Sequence, residues 1–84
     1  MRHATTDDLA ALEDVLAALR RSTALVERRP GVFYRRGRAF CHFHADPTGL
    51  FVDVRVTERF ERMRVSTVRE RREFLRAVTE AVSP

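Results

Sequence analysis

Several classes of protein are excluded by what this sequence lacks. It has one cysteine, no tryptophan and no run of about 20 apolar residues. One cysteine cannot form an internal disulfide, and the missing apolar run excludes a membrane span. The first eight residues also lack the apolar stretch of a signal peptide. We therefore predict a cytoplasmic protein with no membrane partner.

The sequence also has no lysine, and all sixteen of its basic residues are arginine. An arginine-rich chain without lysine is typical of a GC-rich genome, and we predict a bacterial protein. The net charge of +4 is unevenly spread. Residues 1–27 hold three arginines and five acidic residues, whereas residues 28–84 hold thirteen arginines and seven acidic residues. The positive field therefore belongs to the middle and end of the chain.

Glycine is scarce, and the three glycines each fall at a predicted turn. No Gly-rich phosphate loop, Ser-His-Asp spacing or paired-cysteine metal motif is present. The 84 residues form a single predicted domain, 1–84, which is small enough for its stability to be marginal. We therefore predict a homodimer, whose interface would add stability.

Two amphipathic helices flank the middle of the chain. The first is predicted from about Asp7 to Arg21, with Thr6 or Asp7 as its N-cap. The second is predicted over 68–82, because Thr67 and Glu70 have the spacing of a capping box. Both helices have an apolar stripe at helical spacing, which predicts that one side of each is buried.

Between the helices, β-branched and aromatic residues alternate with turn signals. The pattern predicts about four strands, at 24–29, 32–36, 38–45 and 50–56. Residues 57–64 fit either a helical turn around Phe60 or a turn followed by a short edge strand at 63–65, and we favour the second. The connections are too short for parallel crossovers, so the strands form an antiparallel meander. The fold class is α+β, a two-layer sandwich with both helices on one face of the sheet.

The register of the 38–45 and 50–56 strands follows from the type I turn between them, 46–49. Pairing Ala45 with Leu50 puts the valines of the second strand opposite apolar residues. In that register His42 lies opposite Asp53, and their side chains point away from the helices. Cys41 points toward the helices, where a buried thiol is usually inert.

Six residues on the face away from the helices are the predicted ligand-binding set. His42, His44 and Asp53 supply the chemistry, Arg55 an anion contact, and Phe40 and Phe51 the walls. We interpret this face as the site of a small binding or interaction domain, with no cofactor assigned and a small-molecule ligand as one partner. The alternative is a small enzyme or a metal site at the same trio, because two histidines and a carboxylate are common metal ligands. A structural role, with Asp53 fixing the tautomer of His42, is also open.

Arginine clusters at 28–29 and 35–38 give a second alternative, nucleic-acid binding. Arginines interleaved with glutamates elsewhere in the chain favour a solvated surface instead. We therefore do not expect a nucleic-acid partner.

The segments FCHFH (40–44) and GLFVD (49–53) resemble a pattern in small proteins of the "luciferase domain" family. There, a His-x-His strand is followed by a turn and a strand with an aspartate. The resemblance covers about 30–56 and implies an α+β fold, with His42, His44 and Asp53 at the matching positions. Cys41 stands where that pattern usually has a glycine.

Overall fold

The computed structural model describes residues 1–83 and has the predicted α+β architecture. Its elements, in chain order, are β1 Arg2–His3, α1 Thr6–Ala10, α2 Glu13–Arg20, β2 Val26–Arg29, β3 Val32–Arg35, β4 Arg38–Asp46, β5 Gly49–Val54, β6 Glu61–Arg64 and α3 Val68–Val82. Within these residues, no helix combines the length and the apolar character needed to cross a membrane.

The sheet contains six strands rather than about four. Strands β2 to β6 are neighbours in sequence order, so the predicted antiparallel meander is confirmed. One additional strand is β6, in the segment where the sequence indicated a turn and a strand. The other is β1, which pairs with the end of β4 through Arg2 opposite Ala45 and His3 opposite His44.

The single N-terminal helix that the sequence predicts is divided into α1 and α2. Helix α1 begins after Thr5, whose side chain accepts from the backbone N–H of Asp8, so the N-cap is Thr5 and not Thr6 or Asp7. The break falls at Leu12, which has φ −106° and is completely buried. Packing of Leu12 into the core therefore takes precedence over a continuous helix.

The β4–β5 hairpin has the predicted register. Ala45 pairs with Leu50, Phe43 with Val52, and Cys41 with Val54. We call the side of the sheet that bears Val52 and Val54 the valine face. The opposite side, which bears His42, His44 and Asp53, is the histidine face.

The hydrophobic core lies between the valine face and the helices. Helix α2 contributes Val15, Leu16 and Leu19, and α3 contributes Phe74 and Val78. The Phe74 ring meets Phe43 of β4 edge-to-face, with ring centroids 6.1 Å apart. Edge-to-face aromatic pairs stabilise a core beyond the area that they bury. The predicted placement of both helices on the valine face is confirmed.

Helix α3 has the predicted bounds and the predicted cap. The Thr67 hydroxyl accepts from the backbone N–H of Glu70, and the Glu70 carboxylate accepts from the backbone N–H of Thr67. Arg64 of β6 also donates to the Glu70 carboxylate. This cap joins the start of α3 to the edge of the sheet.

Candidate functional site

The hairpin of β4 and β5 brings His42, His44 and Asp53 together on the histidine face. His42 and His44 are two residues apart on β4, so their side chains share one face. Asp53 of β5 pairs directly with His42. One ligand atom from each of the three residues can be chosen so that all lie within 4.8 Å of one another.

Both imidazoles approach the same carboxylate oxygen. The Nε2 atom of His44 lies 3.1 Å from Oδ2 of Asp53, and the Nε2 atom of His42 lies 3.5 Å from it. His44 is buried, with 8% of its surface exposed. Its Nε2 atom is not aligned for a hydrogen bond and has no other partner among residues 1–83. A buried polar atom without a partner is uncommon in a folded protein.

Arg62 of β6 holds the Asp53 carboxylate in place. It donates from Nε to Oδ1 at 2.7 Å and from Nη2 to Oδ2 at 2.8 Å. Such a two-point contact fixes the plane of the carboxylate and keeps Oδ2 toward the histidines. The Arg62 side chain itself is half exposed.

The site favours neutral imidazoles beside an ionised carboxylate. Burial, followed by the neighbouring charge of His44, lowers the pKa of His42. Burial also lowers the pKa of His44, against the opposing effect of Asp53. The Arg62 hydrogen bond lowers the pKa of Asp53. At neutral pH the trio therefore offers two imidazole lone pairs and one carboxylate.

His3 and Phe60 complete the surroundings of the trio, and sequence reasoning missed both. The His3 ring lies 4.8 Å from the His44 ring, centroid to centroid. The Phe60 ring meets His42 edge-to-face at 5.3 Å. A two-residue strand shows no periodicity, so nothing in the sequence placed His3 here. Arg62 was detectable in principle, as a residue that alternates onto the histidine face if 61–64 forms a strand.

Of the other predicted site residues, Phe51 and Arg55 lie near the trio. Phe51 pairs with His44 and is partly buried. The Arg55 guanidinium carbon lies 4.4 Å above the Phe60 ring.

Phe40 differs from the expectation of an accessible pocket wall, since only 3% of its surface is exposed. It lies between Cys41 and Ala39, which pair with the consecutive residues Phe33 and Tyr34, so Phe40 is the extra residue of a β-bulge. A bulge redirects a side chain, and the Phe40 ring belongs to the core cluster.

Cys41 is buried in the valine face beside Val54, as predicted. Burial raises the pKa of its thiol to about 12, so the thiol is protonated at neutral pH. A buried, protonated thiol is a poor nucleophile.

Comparison with protein-family models, curated proteins and solved structures finds no match to this chain. The resemblance to luciferase-domain proteins therefore stays a prediction.

Proposed function

We propose that this chain is a small binding domain and that the histidine face binds a divalent transition-metal ion through His42, His44 and Asp53. The observation that supports this most strongly is the buried Nε2 atom of His44, which has no hydrogen-bond partner among residues 1–83. A metal ion bound at that atom would satisfy its lone pair.

Two of the three ligand-to-ligand distances suit such an ion. Ligands about 2.0–2.1 Å from zinc in a tetrahedral site lie about 3.3 Å from each other. The two distances from Asp53 Oδ2 to the imidazole nitrogens, 3.1 and 3.5 Å, bracket this value. Imidazole nitrogen and carboxylate oxygen together favour zinc or a neighbouring first-row metal over calcium or magnesium, which prefer oxygen alone.

Arg62 has two opposing effects on metal binding at this site. Carboxylates that ligate metals are usually held by hydrogen bonds from a second residue, as Arg62 holds Asp53. The guanidinium also repels a cation, which weakens binding. Because its side chain is 48% exposed, Arg62 can move away from Oδ2 toward solvent while it keeps the contact with Oδ1.

A purely structural role for the trio explains less. If Asp53 served only to fix the tautomer of His42, the two side chains would form an aligned hydrogen bond. Instead, the His42 Nε2 atom lies 3.5 Å from the carboxylate, and among residues 1–83 only Arg62 donates from its side chain to Asp53.

Zinc titration by calorimetry tests the proposal on protein freed of metal with a chelator. We expect one zinc ion to bind per chain, and Asp53→Asn to weaken binding at least about tenfold, because it removes the only charged ligand. Bound Co²⁺ provides a second readout, since its visible spectrum reports tetrahedral coordination.

Asp7→Asn is the matched control. It removes the same charge from an exposed aspartate in α1 that is not one of the three proposed ligands, and should leave zinc affinity unchanged. Absence of binding at micromolar zinc, or equal binding by wild type and Asp53→Asn, would refute the proposal.

A further inference from the structure

A small polar pocket lies at the β3–β4 turn and the end of β5, and four of its seven lining residues are arginine. Its volume is about 150 Å³, and it is lined by Arg35, Arg36, Arg38, Ala39, Phe40, Arg55 and Thr57. We call it the arginine pocket. No acidic residue lines it, so four arginines line a small space without a compensating charge.

These four arginines differ from many others in the chain. Arg2, Arg20, Arg62, Arg64, Arg69 and Arg71 each form an ion pair with a carboxylate. Among residues 1–83, none of the four pocket arginines has a carboxylate oxygen within 4.0 Å. Ten arginines among residues 1–83 have no ion pair, and four of these ten line this one pocket.

Arg55 shows most clearly that the pocket lacks an acceptor. The Phe60 ring supports its guanidinium at 4.4 Å, and its Nε atom is buried with no hydrogen-bond partner among residues 1–83. An arginine nitrogen can only donate. The missing partner is therefore an acceptor, and an anion satisfies both the donor and the charge.

The β3–β4 turn brings the other arginines together at an energetic cost. Arg35 lies directly opposite Arg38, and like charges in that arrangement destabilise a hairpin. Arg36 has φ +53°, a left-handed conformation that is unfavourable for any residue except glycine, asparagine or aspartate. The two-residue hairpin turn requires this conformation, because its central residues Arg36 and Gly37 both have positive φ, as in a type I′ turn. A bound anion would offset the repulsion between Arg35 and Arg38.

The volume indicates what kind of anion fits. Pockets for drug-sized ligands measure about 300–1,000 Å³, so the arginine pocket accommodates a single charged group. The planar guanidinium makes two-point contacts with phosphate oxygens. We propose that the arginine pocket binds a phosphate group, either as free phosphate or as the end of a small phosphomonoester. This proposal does not depend on metal binding at the histidine face.

The test is a titration followed by ¹H–¹⁵N NMR, with the full chain in chelator-treated buffer at constant ionic strength. The ligands are inorganic phosphate, phenyl phosphate and acetate. We expect saturable shifts at 35–38 and 55–57 with a phosphate ligand, and none with acetate. Binding of both phosphates would identify free phosphate as sufficient, and binding of phenyl phosphate alone would identify a monoester.

Arg55→Gln should weaken phosphate binding about tenfold, the effect of losing one charge-assisted hydrogen bond. Arg38→Gln is a second variant, included in case Arg55→Gln disturbs the fold. The Arg38 side chain is exposed, and its replacement should also weaken phosphate binding. Arg72→Gln is the control, because it removes the same charge from an exposed residue of α3. The phosphate affinity of this variant should stay within about twofold of wild type.

Three results would overturn the proposal. The first is no saturable shift with either phosphate. The second is equal affinity in wild type and both pocket variants. The third is binding to a dT oligonucleotide, steeply weakened by salt, without binding to either small phosphate, which would assign the arginines to nucleic acid instead.

Discussion

The two faces of the sheet differ in how completely their polar groups are satisfied. The valine face packs apolar side chains against α2 and α3, and its central residues Val52 and Val54 are completely buried. The opposite side holds His44 Nε2 and Arg55 Nε, the two buried side-chain polar atoms that have no hydrogen-bond partner among residues 1–83. One face therefore supplies stability, and the other retains groups that a ligand can satisfy.

The difference has an energetic meaning. Leaving a buried donor or acceptor unsatisfied costs about 1–3 kcal/mol. A domain of 84 residues has a small margin of stability with which to offset such a cost. Polar groups retained at that cost are typical of binding sites, where stability and function compete.

The largest expected loss of stability comes from a substitution in the core that covers the valine face. Phe74→Ala removes a ring that is completely buried between α3 and β4 and leaves a cavity. We expect the free energy of unfolding to fall by about 3–5 kcal/mol, enough to unfold much of the protein. Urea denaturation followed by circular dichroism measures this, and a loss below about 1 kcal/mol would contradict the assigned core.

A smaller effect is expected at the start of α3, which covers the valine face. Thr67→Ala removes the hydroxyl that accepts from the Glu70 backbone N–H. The free energy of unfolding should fall by about 1 kcal/mol, whereas Thr67→Ser, which keeps the hydroxyl, should stay close to wild type. Equal losses in the two variants would show that the hydroxyl is not the cause.

On the histidine face, removal of a polar group should not reduce stability. His44→Leu puts an apolar side chain in place of an imidazole whose buried Nε2 atom has no hydrogen-bond partner among residues 1–83. We expect the free energy of unfolding to stay the same or rise by up to about 1 kcal/mol, while zinc binding is lost. A decrease of more than about 1 kcal/mol would show that the imidazole stabilises the fold.

The smallest effect is a dependence on pH at the α3 cap. Hydrogen bonds, first of all from the Thr67 backbone, lower the pKa of Glu70 from its ordinary value of 4.5. A carboxyl with a lowered pKa in the folded chain stabilises it above the unfolded pKa and loses this effect as the pH falls. The difference in Tm between wild type and Glu70→Gln should therefore narrow below pH 4.5. A difference that widens in acid would contradict the assignment.

Local signals predicted much of the fold. The capping box of Thr67 and Glu70 fixed the start of α3, and the 46–49 turn together with apolar pairing fixed the β4–β5 register. The break at Leu12 could not be predicted in this way, because no glycine or proline marks it and burial of that leucine decides it.

The trio was predictable because strand alternation alone puts His42, His44 and Asp53 on one face. His3 was not, since β1 depends entirely on pairing with β4. The arginine pocket was only partly visible, because the bulge at Phe40 and the contact between Arg55 and Phe60 form in three dimensions. The sequence indicated the arginine cluster at 35–38 but not its proximity to Arg55.

The central claim is that the histidine face holds imidazole nitrogens that a metal ion can bind. The most direct test is to observe these nitrogens themselves. Long-range ¹H–¹⁵N NMR of the histidine side chains can follow the addition of one equivalent of zinc. We predict that the Nε2 signals of His42 and His44 both shift on binding, and that the change is lost in Asp53→Asn. Zinc binding that leaves the His44 Nε2 signal unchanged would contradict the account.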